Sequence, residues 1–154
     1  MKNKVILIGR TGAGKTTLTQ ALNGEKIEYV KTQEIKREKL IFDTPGEYVE
    51  TKNFGNALAL YSYESDIVGL LLSAIEPYSL YSPNITPMAN RPVIGIVTEI
   101  DKEDARPDRA KQWLELAGCK KIFEVSAVTG EGIDELKDFL ETFDTKKYYK
   151  TQKF

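Results

Sequence analysis

The chain contains no histidine, so the side chain most often used as a general base and as a transition-metal ligand is missing. Catalysis, if any, rests on carboxylates, lysine, arginine, hydroxyls and a metal ion held by oxygen. The single cysteine, Cys119, has no partner for an internal disulfide, which suits a reducing compartment. Neither sign of charge is in excess: 22 Lys and Arg face 23 Asp and Glu, a net charge of −1 that gives no reason to expect a nucleic-acid partner. No apolar run approaches the roughly 20 residues of a membrane-spanning helix. Met1-Lys-Asn-Lys leads straight into a strand candidate too short for the apolar core of a secretion signal, so a cytoplasmic chain without a membrane segment is expected. Proline is scarce, yet Pro77, Pro83, Pro87 and Pro92 crowd one stretch. That density works against a long helix and predicts a loop with short turns over residues 74–92.

What is present centres on Val5-Ile-Leu-Ile-Gly9-Arg-Thr-Gly-Ala-Gly14-Lys15-Thr16-Thr17, an apolar run ending in a glycine-rich turn that opens a helix. The spacing G-x-x-x-x-G-K-[ST] is that of a phosphate cradle, in which backbone N–H groups converge on phosphate oxygens. Gly9, Gly12 and Gly14 permit the close approach, and Arg10, Thr11, Ala13 and Thr17 complete the loop and its exit. Lys15 is placed to reach the β- and γ-phosphates, the Thr16 hydroxyl to sit on Mg²⁺, and the helix that follows to present its positive end to the anion.

At 154 residues the chain fits one domain, expected over 1–143, with a basic and aromatic tail over 144–154. Helices are predicted over Lys15 to Leu22, around Phe54 to Tyr63, from Pro107 to a stop at Gly118, and over Ile133 to Phe143. Strands are predicted at the first apolar run, over Glu34 to Glu38, Lys39 to Phe42, Asp66 to Ser73, Pro92 to Thr98 and Lys121 to Val125. Residues 25–33 are polar, without a clear period, and read as an exposed connection. Strands alternating with helices argue for a three-layer α/β/α fold on a mostly parallel six-stranded sheet, with ligands at the carboxyl ends of the strands.

Those strand ends carry polar residues. Asp43 closes the strand Lys39 to Phe42, where its carboxylate can hold Mg²⁺ directly or through water, and Gly46 can offer an N–H to a γ-phosphate. Thr32 is a candidate hydroxyl ligand for the same ion. Glu47 either acts as a base beside the γ-phosphate or is an acid favoured by a helix dipole.

Thr98-Glu-Ile-Asp101 and Ser126-Ala127 resemble the base-reading elements of small GTPases, with Glu99 where that pattern usually has lysine. The resemblance implies that Asp101 meets guanine's N1 and N2 donors and that the Ser-Ala turn supplies an N–H to O6. With GRTGAGKT, Thr32, DTPG, TEID and SA in order, the chain is similar to P-loop GTPases over nearly its whole length. More narrowly, Lys31-Thr-Gln33, Phe42-Asp-Thr-Pro-Gly-Glu-Tyr48 and the strand at Pro92 to Thr98 resemble the EutP/PduV family of ethanolamine and propanediol utilisation.

The resemblance implies a small protein linked to bacterial microcompartments, and acetate kinase activity for some members. Three readings follow. The chain is a Mg²⁺-dependent GTP- or ATP-binding switch or slow NTPase. Alternatively it is a kinase passing the γ-phosphoryl to acetate, an anion that needs a cation such as Arg10 rather than a base. In the third reading it is a non-enzymatic module whose tail, Lys146 to Phe154, docks on a shell protein. The choice between guanine and adenine stays open.

Overall fold

Alternate residues of the first strand face opposite ways, and both ways are apolar: Val5 and Leu7 enter one core, Ile6 and Ile8 the other. A strand buried on both faces belongs in the middle of a parallel sheet covered by helices. The computed structural model, which describes residues 3–10, 14–22, 27–35, 58–59, 62–63, 65–79 and 81–151, has that architecture. The described strands are β1 (Asn3–Arg10), β2 (Ile27–Ile35), β3 (Ile67–Ser73), β4 (Val93–Thr98) and β5 (Ile122–Glu124). They pair in the order β2-β1-β3-β4-β5, every pairing parallel. All seven residues of β3 are buried.

One core packs Leu18 and Leu22 of α1 (Lys15–Leu22) and Ile133, Leu136 and Leu140 of α3 (Ile133–Thr142) on the sheet. The other packs Ala110, Leu114 and Ala117 of α2 (Pro107–Ala117), with Leu58 and Tyr81. Each fully buried Leu or Ile contributes about 1.5–3 kcal/mol relative to exposure, so both faces of the sheet are firmly covered. Pro107 starts α2, where a missing N–H costs nothing, and Gly118 ends it at φ 112, a left-handed turn that only glycine enters freely. A short helix, α4 (Thr145–Thr151), follows α3, and its Tyr148 ring lies 5.8 Å from that of Phe143.

The expected helices at Lys15, Pro107 and Ile133 and the strands ending at Ser73 and Thr98 stand within a residue or two of their predicted ends. The described residues of 74–92 form the expected loop, with a 3₁₀ turn at Thr86–Met88. Two expectations need correction. Residues 25–33 were expected as an exposed connection, but Ile27–Ile35 form β2 beside β1. Ile27, Tyr29, Val30, Thr32 and Ile35 are strand-favouring types, and the register skips Val30 between the Val5 and Ile6 pairings. That extra residue breaks the period-two pattern by which a strand is read. Glu34 and Ile35 accordingly belong to β2, and residues 36–38 of the strand expected from Glu34 lie outside the described residues, which hold five strands. Lys39–Phe42, most of the helix predicted around Phe54, and Thr11, Gly12, Ala13, Asp43, Gly46 and Glu47 lie outside the described residues; Leu58, Ala59 and Ser62 of that helix are described and helical.

Candidate functional site

In an all-parallel sheet every strand delivers its carboxyl end to the same edge, where the connections to the helices leave a crevice. Arg10, Ser73, Thr98 and Glu124 are the last residues of β1, β3, β4 and β5, so the segments that follow β1, β4 and β5 leave the sheet at one edge. Gly9 is buried in β1, and Gly14 stands at φ 89 immediately before α1. A side chain there would be conformationally strained although no neighbour lies within 4 Å of its Cβ. The Leu18 N–H donates to the Gly14 carbonyl at 2.8 Å, the first intrahelical bond, and the N–H groups ahead of it belong to an open helix terminus. Lys15 and Thr16 are the first two residues of α1 and Thr17 is exposed. The described backbone thus has the strand before the loop and the helix after it that the phosphate-loop pattern requires.

Thr32 sits elsewhere. It pairs with Leu7 in the β2–β1 register, two positions short of the Gly9 pairing with Glu34, so this conformation does not bring it to the loop.

The other half of the site is the pair of turns after β4 and β5. Thr98 is buried, and its carbonyl accepts the Ala74 N–H at 2.8 Å, which ties the ends of β3 and β4 together. Ser126 is wholly buried; its hydroxyl donates to Asp101 Oδ1 at 2.8 Å and accepts the Thr129 N–H at 3.0 Å. Its backbone is fixed as well, the N–H donating to Glu131 O at 2.9 Å and the carbonyl accepting the Gly130 N–H at 2.9 Å. Asp101 itself is exposed, so one carboxylate oxygen is anchored while the group faces solvent, and Ala127 follows half-buried in the same turn. A fixed acceptor on a solvent-facing carboxylate is what reading a ligand's N–H groups demands.

Glu99, between Thr98 and Asp101, stands at φ 60, an uncommon conformation for a residue with a Cβ. Its Oε1 is buried without a hydrogen-bond partner among the described residues, and its Oε2 lies 4.0 Å from Lys102 Nζ. Strain and an orphaned acceptor on one residue mark a functional position.

Sequence reading missed Tyr81. Its buried hydroxyl lies 2.7 Å from Leu71 O and 3.1 Å from Ile8 O, bracing β1 against β3 one residue before Gly9. Burial pushes this phenol well above its ordinary pKa, so it stays neutral and keeps its donor hydrogen. Nothing in a proline-rich loop signals that one tyrosine will reach under the sheet.

Fold and site together define an α/β domain of the P-loop GTPase type. The solved G domain of the T. maritima FeoB iron transporter matches it with a TM-score of 0.52 at 23% identity, over 91% of this chain and 97% of that one. By its sequence, the chain belongs to the PduV-EutP family, described as ethanolamine utilisation and propanediol utilisation, whose pattern matches residues 1–142. It is 44% identical over 140 residues to the propanediol utilization protein PduV of Citrobacter freundii, covering 89% of this chain and 92% of that protein. It is 27% identical over 140 residues to the probable acetate kinase EutP of Escherichia coli K12, covering 89% and 88%. Among the described residues no helix is long and apolar enough to cross a membrane.

Proposed function

We propose that this protein is a Mg²⁺-dependent nucleoside triphosphate switch or slow NTPase of propanediol or ethanolamine utilisation, with guanine the favoured base. The observation that carries the reading is the Ser126–Asp101 hydrogen bond at 2.8 Å, on the same sheet edge as Gly14 and the start of α1. An adenine site has no use for an anchored carboxylate facing two ring donors, whereas guanine presents N1–H and N2–H to it. The orphaned Glu99 Oε1 leaves a further acceptor for a donor on the ligand.

The residues present suit a phosphate chain with its metal ion. Lys15 and the backbone N–H groups of the loop from Gly9 to Thr17 would hold the phosphates, and Thr16 and Asp43 would offer Mg²⁺ oxygens of the kind it takes. When bound, Mg²⁺ neutralises charge on the phosphates. Lys15 would fix the γ-phosphate, and the sequence motif assigns Gly46 to donate to it and Glu47 to the position of a group that orients water. A carboxylate in that place repels charge, so turnover without a partner is slow. Ordering of the segment after β2 by nucleotide, with Thr32 released from its strand to reach the metal, would make the cycle a switch.

A second reading is transfer to acetate, favoured by the similarity to the probable acetate kinase EutP. Acetate is already an anion and needs no base, which suits a chain without histidine, and Arg10, at the end of β1 and within the loop motif, is the nearest cation besides Lys15. Association with a microcompartment shell belongs to the family's setting and would use surfaces outside the site.

Purified protein with Mg²⁺ and γ-labelled GTP or ATP, with and without acetate, separates these readings. Slow release of label as phosphate from GTP, indifferent to acetate, is the expected result. Label in acetyl phosphate overturns it in favour of the kinase, and no binding of either nucleotide overturns both.

A further inference from the structure

The amino-terminal edge of the sheet, opposite the edge that carries Gly14 and Asp101, holds a cleft of about 530 Å³. Ile67 and Ile94, at the starts of β3 and β4, form its floor. One wall is aromatic: Phe139 and Phe143 lie 5.1 Å apart and Tyr148 extends the row. The facing wall is the turn at Thr86–Met88, and it is pinned in place. Asn84 donates its N–H to Leu116 O at 2.7 Å, and Thr86 packs so closely on Gly118 that a Cβ there would collide with its hydroxyl. The cleft is therefore preformed by packing rather than by a loose loop.

Its charge has one sign. Among the described residues Arg91, Lys120 and Lys121 line it and no acidic residue does. Arg91 is held by its Nε–H to Ser65 O at 2.8 Å and by one terminal nitrogen to Asn90 O at 3.0 Å, which fixes the guanidinium. Lys121 Nζ lies 5.3 Å from the Phe123 ring centroid, and neither lysine has an ion-pair partner among the described residues. Asp66, next to Ile67, has its Oδ2 engaged by the Lys4 N–H at 2.8 Å. Gathering cations without counter-charge costs electrostatic energy that a bound anion relieves. An apolar cleft of this size with a few convergent polar groups is the usual form of a small-molecule site.

We propose that this cleft binds a small organic anion, an aromatic or branched alkyl body carrying a carboxylate or sulfonate, at a site separate from the nucleotide. The body lies on Ile67, Ile94 and the aromatic wall, and the anionic group meets Arg91, Lys120 and Lys121. The site goes beyond the nucleotide reading and stands without it.

The probe is anilinonaphthalene sulfonate, added to the full chain with and without excess Mg²⁺ and GTP. Saturable fluorescence enhancement from one site, unchanged by nucleotide, is expected. The double variant Lys120→Gln/Lys121→Gln, whose altered side chains are exposed and so leave folding intact, is expected to bind the probe about tenfold more weakly. Uncharged phenylnaphthylamine should bind the unaltered chain about tenfold more weakly than the sulfonate. Absence of saturable binding, equal affinity in the double variant, equal affinity for the uncharged dye, or displacement by GTP each overturns the proposal.

Discussion

Ser126 donates its hydroxyl hydrogen to Asp101 Oδ1 at 2.8 Å while its oxygen accepts the Thr129 N–H at 3.0 Å, so residues 25 positions apart share one half-buried bond. Removing the hydroxyl frees Asp101 and orphans the Thr129 N–H, at a cost of about 1–3 kcal/mol. Ser126→Ala is accordingly expected to weaken GTP roughly tenfold. Asp101→Asn is expected to weaken GTP far more than ATP in titration calorimetry. Equal losses for both nucleotides would show that Asp101 does not read the base.

Gly130 and Gly132 flank the same turn at φ 87 and φ 75, yet their surroundings differ. A Cβ at Gly130 meets nothing within 4 Å, whereas one at Gly132 runs into the backbone carbonyl of Glu124. Gly130→Ala should cost about 1 kcal/mol from the backbone conformation alone. Gly132→Ala should cost about 3 kcal/mol or more, since backbone has to move. Urea unfolding of the two variants checks this, and similar midpoints would contradict the packing.

Lys15→Ala is expected to abolish most triphosphate affinity while leaving the fold intact, because alanine is the better helix former at the first position of α1. Gly14→Ala should weaken the same binding through its φ of 89, with a stability cost of about 1 kcal/mol. Unchanged nucleotide binding in Lys15→Ala would remove the phosphate-loop assignment.

Burial pushes the Cys119 thiol up from 9.0 to about 12 and raises the Tyr81 phenol as well. Both folded-state values lie above the unfolded ones, so the neutral groups favour the fold at neutral pH. That contribution is lost as pH rises above about 9, where the unfolded chain begins to release these protons first. Unfolding midpoints measured from pH 7 upward should therefore fall on the alkaline side. Cys119→Ala and Tyr81→Phe should each make the fall shallower, and identical slopes in both variants would refute the assignment.

The sequence by itself determined the parallel α/β plan, because β1, β3 and β4 are apolar on both faces and alternate with helices bounded by Gly14, Pro107 and Gly118. It also determined that the strand ends at Arg10, Ser73, Thr98 and Glu124 would share an edge, since a parallel sheet sends every strand end to one side. Local pattern was enough for these because periodicity, proline and glycine act within a few residues.

Tertiary structure alone decided the rest. The place of Ile27–Ile35 in the sheet depends on pairing with β1 around a skipped residue, which no local period shows. The bond from Ser126 to Asp101, the reach of Tyr81 to Ile8 and Leu71, and the gathering of Arg91, Lys120 and Lys121 beside the aromatic wall all join residues distant in the chain. Such contacts arise only when packing closes long loops, and their geometry is set by the partners rather than by either segment alone.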